Sequence, residues 1–198
     1  MPKTKIQCEE IREKMNKKII EGAIIYFAKN GYAGTKISQL AKSIGIGQGT
    51  LYNYFTSKEE LFLEILKKLK LQNESGFENL AKVQIDAESK IKLISESIIK
   101  EIENKTITAY LFVLNIRMIE EGTIDNVFTK SYENVPTKIL EDIILQGQSE
   151  GRVVNGDAYK LADYYWSVVH TLALMNINSK QNKNIDQNWL DRILLKDR

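Results

Sequence analysis

Pro2 and Pro136 are the only two prolines in a chain of 198 residues, so between them no proline interrupts a helix. Proline removes a backbone donor and clashes with the preceding turn, and its scarcity favours long helices over a turn-rich sandwich. Apolar residues recur at the matching period. Met15, Ile19, Ala23, Tyr26 and Phe27 share one face of a first helix, closed by Asn30-Gly31. Thr35 offers an N-cap hydroxyl to a short second helix with Ile37, Leu40, Ala41 and Ile44, and Gly45 ends it. Leu51 and Phe55 anchor another short helix within residues 47–55. Ser57-Lys58-Glu59-Glu60 reads as a capping box, in which Glu60 reaches back while Ser57 accepts from its N–H. Leu61, Phe62, Ile65, Leu66 and Leu69 follow at helical spacing.

Beyond about residue 80 the helices lengthen. Ile91, Ile94, Ile98, Ile99 and Ile102 form one stripe, and Tyr110, Leu111, Leu114 and Met118 form the next, closed by Gly122. Pro136 suits the first turn of a helix holding Ile139, Ile143 and Leu145, with Gly147 inside it and Gly151 as its stop. Asp157 caps a helix with Leu161, Tyr164, Tyr165, Val168, Val169, Leu172 and Leu174. A last helix begins at Asp186 and carries Trp189, Ile193 and Leu194. Asn155-Gly156 is a turn signal, but only Val153-Val154 precede it and no partner strand follows. The expected fold is all-α, without repeats or a sheet. A chain of this length buries about 70% of its unfolded surface and needs no staple. Its 43% hydrophobic content excludes disorder. Cys8 is the lone cysteine, which rules out an intramolecular disulfide and suits a reducing cytosol. No signal-peptide pattern and no apolar run of about 20 residues appears, so a soluble, cytoplasmic protein with no membrane partner is expected.

The informative stretch is residues 31–62. Two short helices joined through a glycine and packed on a longer one make a helix-turn-helix. With Leu51 and Phe55 turned inward, the other face of the second helix carries Gln48, Gly49, Thr50, Tyr52, Asn53 and Tyr54. Gln can pair bidentately with adenine, Gly lets the backbone approach, and Thr, Tyr and Asn donate to phosphate oxygens.

These residues resemble the TetR family of transcriptional regulators. The likeness runs through Ala23, Phe27, Gly31-Tyr32, Thr35, Ile37, Leu40-Ala41, Gly45-Ile46, Gly49-Thr50-Leu51-Tyr52, Tyr54-Phe55 and Ser57-Lys58-Glu59-Glu60-Leu61. The resemblance implies an N-terminal three-helix DNA-binding domain at 1–56 and a helical effector-binding and dimerisation domain at 57–198. A helix from about 58 to 71 would link the two. It implies that Gln48 and Gly49 read base edges, and that Thr50, Tyr52, Asn53, Tyr54 and Lys58 mostly grip phosphates. Thr35 would present its hydroxyl or its helix N-terminus to the backbone. Gly47 departs from the family's usual Ser or Thr cap. Lys36 replaces a frequent second Thr or Ser, with a charge-assisted phosphate contact as its expected role.

The resemblance further implies a homodimer built on the helices at 157–175 and 186–195, with Leu161, Tyr165, Val168, Val169, Leu172, Trp189 and Ile193 at the interface. The first of these helices is apolar on more than one face, which supports pairing independently. Mixed aromatic and polar residues make Tyr110, Asn115, Met118, Phe128, Tyr132, Trp166 and His170 candidates for a small-molecule pocket. Arg117 could face an acidic effector or simply be paired. His170 is the only histidine, so a histidine-rich metal site is excluded; no cofactor and no catalytic residue is expected. The function implied is a repressor released from a palindromic operator by an effector, with an activating or effector-independent DNA-binding protein as the alternative. A helical enzyme has no nucleophile pattern, phosphate loop or metal cluster to support it. The net charge of +2 looks too neutral for a DNA binder. The halves differ, however: residues 1–70 hold 13 basic and 7 acidic side chains, and residues 71–198 hold 15 and 19. A basic head sits on an acidic body.

Overall fold

A computed structural model describes residues 5–120, 135–181 and 184–196. Every named element in it is a helix. α1 (Lys5–Asn30) and α2 (Ile37–Ile44) lead to the short α3 (Gln48–Tyr52), followed by α4 (Lys58–Lys82), α5 (Ala87–Glu103) and α6 (Ile107–Glu120). Beyond residue 134 come α7 (Val135–Ser149), α8 (Ala158–Asn178) and the short α9 (Gln187–Asp191). Among the described residues no helix is long and apolar enough to cross a membrane.

The local signals act largely as the sequence suggests. Gly31 and Gly45 both take positive φ (76° and 74°), which a side chain would strain. At Gly45 the cap is complete: its N–H reaches the Lys42 carbonyl, and the Ile46 N–H reaches Ala41. Those two bonds close the Schellman arrangement that turns α2 into α3. Ser57 Oγ accepts from the Glu60 N–H at 3.0 Å. Glu60, however, reaches one residue further back than a capping box requires, accepting from the N–H and hydroxyl of Thr56. The short bonds to Thr56 hold its carboxyl below the usual range.

Packing explains where the stripes differ from expectation. In α1, Ile19, Ala23 and Phe27 are buried, but so are Ile20, Ile24 and Ala28. The second row exists because α1 lies against α6 as well as α2 and α4. Phe27, Tyr32 and Phe62 stack at centroid distances of 4.4–5.7 Å and join α1 to α4. α4 runs past residue 71 as far as Lys82, longer than its expected stretch. The isoleucine stripe of α5 is buried throughout. In α7, Leu145 points outward, while Leu140 and Ile144 join Ile143 in the core. Gly147 sits where a Cβ would lie 2.2 Å from Val153 Cγ2 and 3.0 Å from Ala87 Cβ. Three segments therefore meet at a helical position with room only for glycine.

The C-terminal helix is the largest departure. α9 covers only five residues, after which the chain pairs with the turn beyond α7. Val154 N–H donates to Leu194, Lys196 N–H donates to Arg152, and Val153 and Leu195 form an isolated antiparallel bridge. Val153-Val154 thus has a partner after all, supplied by the chain's last residues. Leu190 and Leu194 bury themselves in the body, which sets the path of this tail.

Candidate nucleic-acid interface and regulatory core

α3 stands on Leu51, fully buried, and on Phe55 just after it. This leaves Gln48, Gly49, Tyr52 and Asn53 exposed together, with Thr50 and Tyr54 half-buried beside them. Gly47 is the N-cap, with extended backbone and no side-chain bond, so the α3 N–H groups keep no hydroxyl partner from that position. The outward set is polar and uncharged, suited to base edges and phosphate oxygens.

The structure places two expected phosphate contacts, Thr35 and Lys58, differently. Thr35 is not the cap of α2. That position is Lys36, which is exposed, extended and without a cap bond. The Thr35 hydroxyl is buried and donates to the Gly31 carbonyl at 2.6 Å, so it closes the loop instead of facing outward. Lys58 is also turned inward. Its ammonium donates to the carbonyls of Tyr32 (2.9 Å) and Thr35 (3.2 Å) and lies 4.3 Å from the Tyr32 ring centroid. It pins the start of α4 to the α1–α2 loop. Burial, and secondarily the Glu59 carboxylate, raises the Tyr32 phenol above its ordinary value.

Of the pocket candidates, the structure gathers Asn115, Trp166 and His170 between α6 and α8. The Asn115 amide lies 3.4 Å from His170 Nε2. Phe112, which the sequence reading passed over, completes the group: its ring is 6.1 Å from both Trp166 and His170. Its i−3 spacing from Asn115 was the available signal. Burial holds His170 down to about 4, against a smaller opposing pull from Asp163, so the ring is neutral at pH 7. Tyr110 and Met118 are buried on the same α6 but are not in that ring cluster. Tyr110 instead lies under Lys29 of α1, at 5.6 Å. Phe128 and Tyr132 fall outside the described residues. Arg117 donates from Nε to the Ala28 carbonyl at 2.8 Å, so it is engaged with the C-terminal end of α1.

The expected interface residues divide. Tyr165 and Val169 are fully buried inside the protomer, and the Tyr165 hydroxyl bonds Ser95 Oγ at 3.0 Å. Neither can meet a second chain without unpacking α8 from α5, which corrects that expectation. Val168 and Trp189 are exposed, the latter at 69%, while Leu161, Leu172 and Ile193 are half-buried. Tyr164 and Met175, absent from the expected set, are exposed at 61% and 49%. Leu161, Tyr164, Val168, Leu172 and Met175 follow three- and four-residue steps along one face. Beside that face, an apolar groove of ≈ 380 Å³ is lined by Val168, Leu172, Met175, Trp189 and Leu190, among others.

Residues 19–65 match the model of the bacterial regulatory proteins of the tetR family. The "Fatty acid metabolism regulator protein" of Bacillus subtilis is 28% identical over 146 residues, 73% of each chain. A TetR family transcriptional regulator, PfmR of Thermus thermophilus, is similar in structure. Its TM-score is 0.65 at 20% identity, over 89% of this chain and 96% of that one. AibR, solved in complex with isovaleryl coenzyme A and operator DNA, has a TM-score of 0.65 at 15% identity, over 89% and 94%. The helix-turn-helix of residues 19–65 thus matches the tetR family of bacterial regulatory proteins, and the helical body behind it shares the fold of tetR-family transcriptional regulators.

Proposed function

We propose that the protein is a homodimeric repressor released from a palindromic operator by a small-molecule effector. Residues 1–56 would act as the reading head and 57–198 as the responsive body. The observation that carries this reading is the apolar line of α8, exposed Tyr164, Val168 and Met175 with half-buried Leu172, lying beside exposed Trp189. A second copy would bury that line and place two recognition helices about 34–36 Å apart, one turn of B-DNA.

Coupling has a physical route. α6 carries Asn115 and Met118 and is fastened to the end of α1 by Arg117 on the Ala28 carbonyl and by Lys29 on Tyr110. An effector that moves α6 would therefore move α1 directly, in addition to any motion of α4. A differential affinity of about 1–3 kcal/mol is enough for a 5–150-fold change in operator binding. AibR binds an acyl-coenzyme A and operator DNA, which makes acyl-coenzyme A thioesters the first ligands to test. The experiment is a gel shift on the DNA upstream of the protein's own gene, titrated with such thioesters. Specific retardation relieved by one of them fits the reading; the absence of specific retardation refutes local autoregulation.

The mutual packing of Phe112, Trp166 and His170 favours a second reading, in which side chains fill the space an effector would take. The protein would then bind DNA without an effector, as an activator or an architectural factor. DNA binding unmoved by any thioester, with no ligand-induced rise in Tm, would favour it.

A further inference from the structure

α1 is longer than its packing requires. Its first fully buried residue is Ile19, and every described side chain from Ile6 to Lys14 is exposed. Residues 5–14 therefore extend about 15 Å beyond Met15, the first residue of the helix to pack against the core. A helix of this length with no tertiary partner is marginal in water, and it carries Ile6 at 69% and Ile11 at 44% exposure.

The direction of the extension follows from two contacts with α2. Tyr26 Oη donates to Gln39 in the middle of α2. Gly22 faces Ile44 at the end of α2, so closely that a Cβ there would lie 2.6 Å from Ile44 Cγ1. The two helices are antiparallel, and moving toward the N-terminus of α1 means moving past the Gly45 turn that opens α3. The opposite end of α1 is held by α6 through Ala28, so the extension leaves the body on the side of the recognition helix. Lys14 and Lys18 continue the line of Gly22 and Tyr26 in four-residue steps, the ridge that faces α2. Both are exposed, and among the described residues neither forms an ion pair. Glu9 and Glu13 lie on the other side of the helix, continuing its buried face, Lys17 is paired with Glu21 at 3.8 Å, and Glu10 stands on the lysine ridge one step before Lys14.

We infer that the N-terminal half of α1 is a second DNA-contacting element, in which Lys14 and Lys18 bind backbone phosphates flanking the groove entered by α3. The inference rests on the DNA-binding reading of α3 and adds contacts outside it. The extension lengthens the site the protein covers without reading sequence, because ammonium groups contact phosphates as point charges. Lys14 and Lys18 outnumber Glu10, the one carboxylate on their ridge, so the ridge complements a polyanion, and it is continuous with the candidate interface.

The test uses the full-length protein and a duplex it selects from a random library. Lys14→Gln/Lys18→Gln is compared with wild type and with Lys100→Gln, which removes an exposed charge from the body. Both altered lysines are exposed, and thermal melts check that the fold is intact. The expected result is a roughly 10–100-fold loss of affinity near 0.1 M salt and a salt slope shallower by about 0.9 for each lysine lost per protomer. Hydroxyl-radical protection should disappear from the outer phosphates while the central protection stays. Unchanged affinity, slope and footprint in the double variant overturn the inference and leave the role of α3 standing. A loss matched by Lys100→Gln overturns it as well, since net charge alone would then explain the effect. Failure of the wild type to select any duplex refutes the DNA-binding reading itself.

Discussion

Replacing Lys58 by alanine separates a structural clamp from a phosphate contact. The side chain supplies two charge-assisted hydrogen bonds, to Tyr32 and Thr35, and lies over the Tyr32 ring. A bond of this kind contributes about 1.5–3 kcal/mol when well buried. Lys58 is half-buried, so water can partly replace it at both carbonyls, and about 1 kcal/mol per bond is the appropriate scale. The ring contact adds about 0.5–1 kcal/mol. The sum is about 2–3 kcal/mol, and for a domain of this size Tm should fall by roughly 4–12 °C. The assay is a thermal melt paired with DNA affinity measured across salt concentrations. Removing an inward lysine lowers Tm and weakens binding by loosening the α1–α2 loop, but it leaves the salt slope intact. An unchanged Tm with a slope shallower by about one per protomer would refute the clamp and restore Lys58 as a phosphate ligand.

Gly147→Ala should destabilise by about 1–3 kcal/mol, because the new methyl collides with Val153 and Ala87. Urea unfolding reads the sign: an ordinary mid-helix site would gain up to about 1 kcal/mol from the same change. His170 is neutral in the fold, with its value lowered from 6.5 to about 4, so its contribution is complete above pH 6.5 and is lost as pH falls from 6.5 toward 4. Wild type should lose about 2 kcal/mol by pH 5 relative to His170→Gln, measured by urea midpoints. The lowered carboxyls of Glu60, Asp86 and Glu88 act below that window, at and under the usual carboxylate range. Val168→Glu should convert a dimer to monomers in sedimentation velocity. Tyr165→Phe should leave the assembly unchanged and cost about 1 kcal/mol through its lost bond to Ser95.

The helix boundaries were legible because their causes are local. Ser57 and Asp157 cap through bonds to a residue three positions on, and Gly31 and Gly45 stop helices through their own φ angles. The outward face of α3 was legible for the same reason, once Leu51 and Phe55 were assigned inward. What could not be read depends on partners far along the chain. α8 is apolar on more than one face, so periodicity alone could not choose Tyr164 and Met175 over Tyr165 and Val169 as the uncovered line. That choice belongs to α5, α6 and α7, which pack against the other side. The brevity of α9 depends on residues 152–154, about forty positions before the tail they pair with.

The lysines of the head show the same limit in its clearest form. Lys14, Lys18, Lys29 and Lys58 are one residue type, and all four enter the net charge of residues 1–70. Only distant groups tell them apart. Tyr110 takes Lys29, the Tyr32 and Thr35 carbonyls take Lys58, and Lys14 and Lys18 remain on a ridge facing outward. A charge count therefore overstates what the head offers to DNA, since an ammonium already bound to carbonyls must break those bonds before it can displace a counterion. Long-range attraction sees the whole positive excess, whereas the salt dependence of the bound state counts only the ammonium groups that reach phosphates. A basic head gathers DNA with all its charges and holds it with the few that the fold leaves uncommitted.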